Sequence, residues 1–199
     1  MSTRYELTGR TQQKQRTRDA LVAAARDLVA AGGVAPTVEA AAAAASVSRT
    51  TAYRYFPTQR ALLVAAHPET TLTTLVPDDA SDDPEERLLG AVATFIRTVM
   101  DTESQQRTML RLSLDPQVSA EALPLRQGRA ITWFEEALAP VRSRLTDVEI
   151  LQLALSVRSA VGIESLVWLT DVAGLSRDEA TERMLWSARA LYRQAIADA

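Results

Sequence analysis

Seven residues between positions 48 and 55 carry side-chain hydrogen-bond donors within about two helical turns. An arginine can bind guanine N7 and O6 through two N–H groups, a threonine can offer its hydroxyl or pack its methyl on thymine, and a tyrosine hydroxyl suits a phosphate oxygen. A helix that only faces water needs no such concentration of donors. We therefore predict a DNA recognition helix whose contacts come from Ser48, Arg49, Thr50, Thr51, Tyr53, Arg54 and Tyr55.

Two N-cap residues place this segment in a helix-turn-helix. The hydroxyl of Thr37 can accept a hydrogen bond from an unpaired amide of an alanine-rich helix at 38–44. The chain breaks near residues 45–47, and Ser48 is a second N-cap, which leaves the short turn that a helix-turn-helix needs. Pro57 ends the second helix. We include Thr37 among the candidate DNA contacts.

Positive charge is concentrated at the same end of the chain. Residues 1–60 contain nine Lys and Arg against four Asp and Glu, whereas residues 61–199 contain 13 against 21. This segregation is typical of a protein with one polyanion-binding end, because neutralisation of phosphates drives non-specific affinity for nucleic acids.

A first helix is predicted from Thr11 to the Gly32-Gly33 pair, with Lys14, Arg16 and Arg18 near its start. Basic residues at a helix start oppose the macrodipole, so phosphate contact explains these three better than local stability does. A merely solvated face is the alternative. Residues 1–11 lack apolar periodicity, and we predict either a mobile basic arm that reaches phosphates or a minor groove, or a plain disordered tail.

The segment Tyr53-Arg54-Tyr55-Phe56-Pro57-Thr58-Gln59 resembles the Tyr-x-Tyr/His-Phe-Pro-Ser/Asn-Lys ending of the DNA-binding domain in the TetR family of bacterial transcriptional regulators. The similarity covers residues 12–66 and is only architectural beyond them. It implies a homodimer that binds a double-stranded, inverted-repeat operator. By family precedent the regulator is a repressor, and a small-molecule effector in its C-terminal domain shifts the linking helix and releases the DNA.

Three features depart from the family pattern. Ser46 replaces the usual turn glycine, which costs some free energy if the residue keeps a positive φ angle. Gln59 stands where the family often has a phosphate-contacting lysine, so that contact should be weaker or missing. Ala43 and Ala44 replace bulkier aliphatic residues. The core volume must then come from Val38, Val47 and Leu28.

The composition predicts an all-α protein. A chain of 199 residues with 47% apolar residues can bury a full core, and only 7 Gly and 8 Pro interrupt a sequence rich in helix formers. We expect about nine helices in two domains, a three-helix DNA-binding domain at 1–57 and a helical effector-binding and dimerisation domain at 58–199. The absence of cysteine excludes disulfides and thiol catalysis, and it favours the reducing cytoplasm.

Caps and apolar periodicity divide the second domain into helices. Thr58 is predicted to cap a fourth helix that reaches His67-Pro68, where the proline should kink or split it. The later helices are predicted at 84–101 after the cap Asp83, at 103–114, at 125–139, at 147–172 after the cap Asp147, and from a capping box at Ser176. The apolar segment at 151–169 contains Arg158 and Glu164, so we predict a buried helix and no membrane span.

The last two predicted helices carry more apolar surface than one partner helix can cover. We therefore predict a four-helix dimer interface, with a single-chain core as the alternative. An effector pocket between helices should be lined by aromatic residues, methionine and a few polar groups. Composition makes Phe95, Met100, Met109, Arg111, Trp133 and Trp168 candidates, and each is alternatively plain core.

Other functions have less support. An enzyme is disfavoured, because the sequence shows no nucleophile with a base at the required spacing, no Gly-rich phosphate loop and no metal-ligand set. His67 is the only histidine in the sequence. The acidic run at 78–86 is interpreted as a loop and helix cap, with a cation site as the alternative. We expect no cofactor and no metal. The remaining alternative is a DNA-binding protein without an effector, whose C-terminal part only dimerises.

Overall fold

The computed structural model describes residues 4–32, 35–66, 72–114 and 128–199, and these ranges contain ten α-helices and no strand. The all-α prediction is confirmed. The chain forms two compact units, one made of Met1–Thr70 and Ser104–Leu125 and the other of Thr71–Glu103 and Arg126–Ala199. This grouping differs from the predicted division into a DNA-binding domain at 1–57 and a second domain at 58–199. That division by function stays a prediction.

The first unit contains α1 (Arg4–Gly32), α2 (Val38–Ala44), α3 (Arg49–Tyr55), α4 (Gln59–Ala66) and most of α6 (Glu103–Ser113). Helix α1 begins at Arg4, so the prediction of an irregular arm over residues 1–11 is wrong for the described residues 4–11. The predicted caps are present: the hydroxyl of Thr58 accepts a hydrogen bond from the Ala61 amide at 3.1 Å. The predicted break at His67-Pro68 lies outside the described residues.

The core of this unit is built from small residues of α2 and α3 and larger ones of α1 and α4. Leu21 and Leu62 have no exposed surface, and Phe56 is 3% exposed. Val38 is part of this cluster and Val47 packs against it half-buried, as predicted, but Leu28 is not a member. The volume that the alanines leave is filled by Phe56, Leu21 and Leu62, which face the same cluster.

The turn between α2 and α3 is closed by main-chain hydrogen bonds. The Val47 amide donates to the Ala42 carbonyl at 2.9 Å, and the Ser46 amide donates to the Ala43 carbonyl at 3.2 Å. This is the Schellman pattern of a helix C-terminus. Ser46 adopts φ 54°, the left-handed conformation that usually selects glycine.

The second unit contains α5 (Pro84–Asp101), α7 (Arg129–Ala137), α8 (Asp147–Ala160), α9 (Ile163–Val167) and α10 (Arg177–Ala197). A 3-10 turn at Ala139–Ser143 follows α7, and a π-helical turn at Trp168–Val172 follows α9. Helix α5 packs on α7 and α10, and α8 packs on the same two helices. Phe95 and Phe134 meet edge to face in this core, with ring centroids 5.6 Å apart.

Helix α5 has the predicted bounds, and the Asp83 and Ser176 caps are present. The predicted eighth helix is wrong in two respects. Its N-cap is Thr146 in a capping box with Glu149, and not Asp147. It also breaks after Ala160, because Gly162 adopts φ 114° and the Arg158 guanidinium lies 2.7 Å from the place where a Cβ would stand. Helix α7 starts at Arg129, and the predicted start at residue 125 lies outside the described residues.

The segment Asp147–Val172 is long and apolar enough to cross a membrane by length and composition alone. Its inward-facing residues Ile150, Ala154 and Val157 are buried in the second unit, at exposures of 1% or less. A core helix has the same composition, and Arg158 and Glu164 interrupt the apolar surface with an ion pair at 3.2 Å.

Replacing Ser46 by Gly should stabilise the protein by about 0.5 to 1 kcal/mol, because the left-handed conformation strains a residue with a Cβ. The change is measured as the free energy of unfolding in urea. Ser46→Ala is the matched control, since it removes the hydroxyl and keeps the Cβ, and its stability should stay close to that of the wild type. Equal stability of all three proteins would show that the turn is not strained.

Candidate nucleic-acid interface

Helices α2 and α3 are each held at their start by a side-chain cap. The Thr37 hydroxyl accepts a hydrogen bond from the Ala40 amide at 3.1 Å, and the Ser48 hydroxyl accepts one from the Thr51 amide at 3.2 Å. The Ser48 hydroxyl also donates to the Thr51 hydroxyl at 2.8 Å. These two predicted DNA contacts therefore also fix the ends of the helices that carry the other contacts.

The polar residues of α3 differ in exposure. Arg49, Thr50 and Arg54 are exposed, while Thr51, Tyr53 and Tyr55 are half-buried. Ala52, on the side of the helix away from Thr50 and Arg54, is completely buried in the core. The three exposed residues are the ones that a duplex placed against α3 would meet first. The Arg54 guanidinium lies 5.9 Å from the centre of the Tyr55 ring, which restricts its orientation.

An acidic residue that the sequence analysis missed lies among these donors. Glu39, in the first turn of α2, accepts a hydrogen bond from the Tyr53 hydroxyl at 2.6 Å and forms an ion pair with Arg49 at 2.9 Å, both through its Oε1 atom. The Arg49 guanidinium also lies 5.8 Å from the centre of the Tyr53 ring. The only signal in the sequence was a single acid beside a donor-rich segment, and its partners 10 and 14 residues away depend on the geometry of the turn.

The hydrogen bond between Tyr53 and Glu39 changes the ionisation of both groups. The bond from the Tyr53 hydroxyl lowers the pKa of Glu39, and the Arg49 charge lowers it further. The same hydrogen bond raises the pKa of Tyr53. At neutral pH Glu39 is therefore a carboxylate, and Tyr53 is a neutral phenol whose hydroxyl already donates its hydrogen bond to Glu39. Tyr53 does not fit the predicted role of a donor to phosphate in this conformation.

Helix α1 contributes exposed basic residues, Lys14, Arg16 and Arg18. The Arg18 guanidinium lies 5.5 Å from the centre of the ring of Phe56, the C-cap residue of α3. Lys14 is four residues earlier and shares this face of α1, whereas Arg16 lies midway between them and points to another side. The structure therefore brings Lys14 and Arg18 to the side of α1 that meets the end of α3, and it does not bring Arg16 there.

Gln59 is bound within the protein. Its amide donates to the main-chain carbonyls of Ala35 at 2.8 Å and Pro36 at 3.2 Å, so it ties the start of α4 to the segment before α2. This agrees with the expectation that the phosphate contact at this position is weak or missing.

The six candidate pocket residues are divided between the two units. Phe95 and Trp133 are buried in the second unit, where the Trp133 indole donates to the Thr73 carbonyl at 2.9 Å, and Met100 is half-buried there. Trp168 is 59% exposed. Met109 and Arg111 belong to the first unit, the former buried beside Val29 and Leu63 and the latter exposed.

Two spaces of ligand size among the described residues are open grooves. One of about 340 Å³ is lined by Trp168, Arg183 and Glu164 among others, and another of about 310 Å³ by Leu153, Glu149 and Leu191 among others. The cavity beside Met109 measures about 10 Å³, too little for a ligand and barely enough for one water. Within the described ranges, no three His, Cys, Asp or Glu side chains are placed to hold a metal ion.

Comparison with known proteins agrees with this geometry. Residues 21–66 match the model of the family described as bacterial regulatory proteins, tetR family. The chain is also similar to the crystal structure of a TetR transcriptional regulator from Rhodococcus sp. RHA1, with 17% sequence identity and a TM-score of 0.59, over 90% of this chain and 97% of that one. At that identity the likeness is one of fold. No curated protein matches the chain.

Replacing Ser48 by Ala should destabilise the protein by about 1 kcal/mol, because the amide at the third position of α3 loses its acceptor. Thr50→Ala is the matched control on the same helix, and we expect it to change the free energy of unfolding by less than about 0.5 kcal/mol, as for other exposed positions. Urea unfolding followed by circular dichroism measures both. Equal losses for the two variants would contradict a capping role for Ser48.

Proposed function

We propose that this chain, whose residues 21–66 match the model of the tetR family of bacterial regulatory proteins, is a transcriptional regulator that represses its target as a homodimer bound to an inverted-repeat operator. A small molecule bound to the C-terminal domain releases it. The observation that carries the proposal is α3, whose exposed Arg49, Thr50 and Arg54 stand on a helix fixed by a cap, a buried alanine and a closed turn. A regulator of this kind is not an enzyme, and it acts in the cytoplasm.

Helix α3 suits the major groove in size and chemistry. An α-helix with its side chains is about 10 to 12 Å in diameter, which fits a groove about 12 Å wide, and the seven residues of α3 extend about 10 Å along its axis. Arg49 and Arg54 offer paired N–H donors for guanine, and Thr50 offers a hydroxyl or a methyl for a neighbouring base. Lys14 and Arg18 supply phosphate contacts beside it, while Thr37 and Ser48 place α2 and α3.

Exposed apolar residues on α8 support the dimer. Val148, Leu151 and Leu155 are 64%, 41% and 47% exposed, and their spacing places them along one stripe of the helix. Trp186 on the neighbouring α10 is 58% exposed. A two-fold pairing of these faces would cover apolar surface that a single chain leaves in water. An inverted-repeat operator requires such a dimer, because its two half-sites lie in successive major grooves about 34 Å apart.

A groove on the second unit is the described space proposed for the effector. Of the six candidate pocket residues, Trp168 lines a described groove large enough for a small molecule, beside Arg183 and Glu164. Phe95 and Trp133 lie in the core instead. The alternative is a dimeric DNA-binding protein without an effector.

The test begins with selection of bound duplexes from a random-sequence library by the purified protein. The proposal requires an enriched inverted repeat, and tight binding of that duplex in a gel shift at two salt concentrations in the presence of unrelated competitor DNA. Binding that is weak, equal for both DNAs and lost at the higher salt concentration would reduce the interaction to electrostatics and overturn the proposal. The selected duplex then provides the assay for effectors, since release by a compound separates the proposal from its alternative.

Replacing Arg54 or Arg49 by Ala should weaken binding to the selected duplex by about 1 to 3 kcal/mol and relax sequence preference at one position, because each would remove a base contact. Lys14→Ala is the matched control. It should weaken binding to all sequences alike and lower the salt slope by about 1, since it would remove a phosphate contact. Equal losses on selected and random DNA for all three variants would contradict base recognition by α3.

Replacing Leu155 by Glu should weaken the dimer by about 2 kcal/mol or more, because two carboxylates would be buried in a two-fold interface. Analytical ultracentrifugation measures the dissociation constant. Leu114→Glu is the matched control, since Leu114 is 70% exposed and belongs to the first unit, and it should leave the association state unchanged. A Leu155→Glu protein that dimerises as the wild type does would place the interface elsewhere.

A further inference from the structure

The network of Glu39, Arg49 and Tyr53 is the feature of the interface that DNA binding alone does not explain. A protein that needs affinity for a polyanion gains nothing from a carboxylate among its donors, because phosphates repel it. Glu39 nevertheless contacts two residues of α3. Its Oε1 atom accepts a hydrogen bond from the Tyr53 hydroxyl and forms an ion pair with the Arg49 guanidinium.

Stability does not account for the ion pair between Arg49 and Glu39 either. The Arg49 side chain is 73% exposed and that of Glu39 37% exposed. Ion pairs as accessible as this one contribute little to folding, since water solvates both charges and holding two long side chains costs entropy. The two helices are already joined by the buried alanines and the closed turn. The network therefore bears on what α3 presents to a ligand.

The geometry restricts Arg49 in two ways. The carboxylate engages the Nη2 atom at 2.9 Å, and the guanidinium lies 5.8 Å from the centre of the Tyr53 ring, so the side chain loses much of its freedom before any DNA binds. A guanidinium has five N–H donors in a fixed plane, and one occupied by Glu39 leaves enough for a bidentate contact with a base. The carboxylate also offsets the charge that would draw Arg49 to a phosphate.

We propose that Glu39 is a positioning residue for sequence recognition, which holds Arg49 for a base contact and weakens its binding to phosphates. The inference rests on the proposed function of α3. It assigns Glu39 the role of lowering affinity for random DNA while preserving affinity for the operator. The ratio of the two affinities, and not the affinity itself, is the quantity that Glu39 controls.

The test compares Glu39→Gln with the wild type on two probes, the duplex selected by the wild type and a random-sequence duplex of equal length. The amide keeps the shape and one acceptor oxygen and removes the charge. We expect tighter binding to random DNA, a salt slope steeper by about 1 because one more phosphate is neutralised, and a ratio of selected to random affinity lower by about tenfold. Asp27→Asn is the matched control, an exposed acid on α1 whose loss changes the net charge equally and should leave the ratio unchanged.

Two further measurements separate positioning from a general charge effect. In an Arg49→Ala background, Glu39→Gln should leave the ratio unchanged, because the residue through which Glu39 acts is missing. Without DNA, ultraviolet titration should show one tyrosine with a pKa lower in Glu39→Gln than in the wild type, and Tyr53→Phe identifies that tyrosine. Urea unfolding of Glu39→Gln shows whether the variant is folded.

The outcomes distinguish this inference from the function on which it rests. A wild-type protein that selects no duplex overturns the proposed function, and the role of Glu39 is overturned with it. A selective wild type whose ratio is unchanged by Glu39→Gln overturns the role of Glu39 alone. The same holds if Asp27→Asn lowers the ratio as much, or if the effect persists without Arg49.

Discussion

The buried contact between α2 and α3 is the constraint on which the interface depends. Each helix has seven residues, a length at which an isolated helix is unstable in water. Ala41, Ala42 and Ala52 are at most 2% exposed, and side chains this small allow two short helices to share one core with α1 and α4. The alanine run therefore allows the two short helices to pack closely, and this packing gives α3 a rigid position.

A rigid helix holds each charged side chain of the interface at a defined position. The basic end of the chain carries the charge that attracts a polyanion, yet the exposed Arg49 in α3 is paired with an acid. Attraction and discrimination are different demands, because phosphates are identical along a duplex and only base edges differ. In the proposed function, Lys14 and Arg18 beside the end of α3 would serve the first demand, and the exposed Arg54 together with the Glu39 network would serve the second.

Local signals in the sequence predicted the helices and most of their caps. Four predicted N-caps are present, because a cap depends only on an amide three positions further along the chain: Thr37, Ser48, Asp83 and Ser176. The break after Ala160 was missed because a glycine inside an apolar helix pattern is often tolerated, and here the Arg158 side chain occupies the space beside it. The helical start at Arg4 was missed because a polar segment has no apolar period to detect.

The candidate site was predictable in its residue types and less so in their roles. Donor-rich composition identified α3, but which donors are exposed depends on packing around Ala52, and the pairing of Glu39 with Tyr53 depends on the angle between two helices. The six pocket candidates were chosen by composition alone. The fold distributes them over two units, because large apolar residues fill cores as readily as they line ligand sites.

The turn at Ser46 has a consequence for how this interface can change over generations. Its bonds join main-chain atoms, from the Val47 and Ser46 amides to the Ala42 and Ala43 carbonyls, and they do not depend on any side chain of the exposed face of α3. Positions 49, 50 and 54 can thus mutate without loosening the scaffold. If α3 reads DNA as proposed, a duplicated gene is then free to acquire new sequence preferences through substitutions at the surface alone, while selection for folding acts on a separate set of residues.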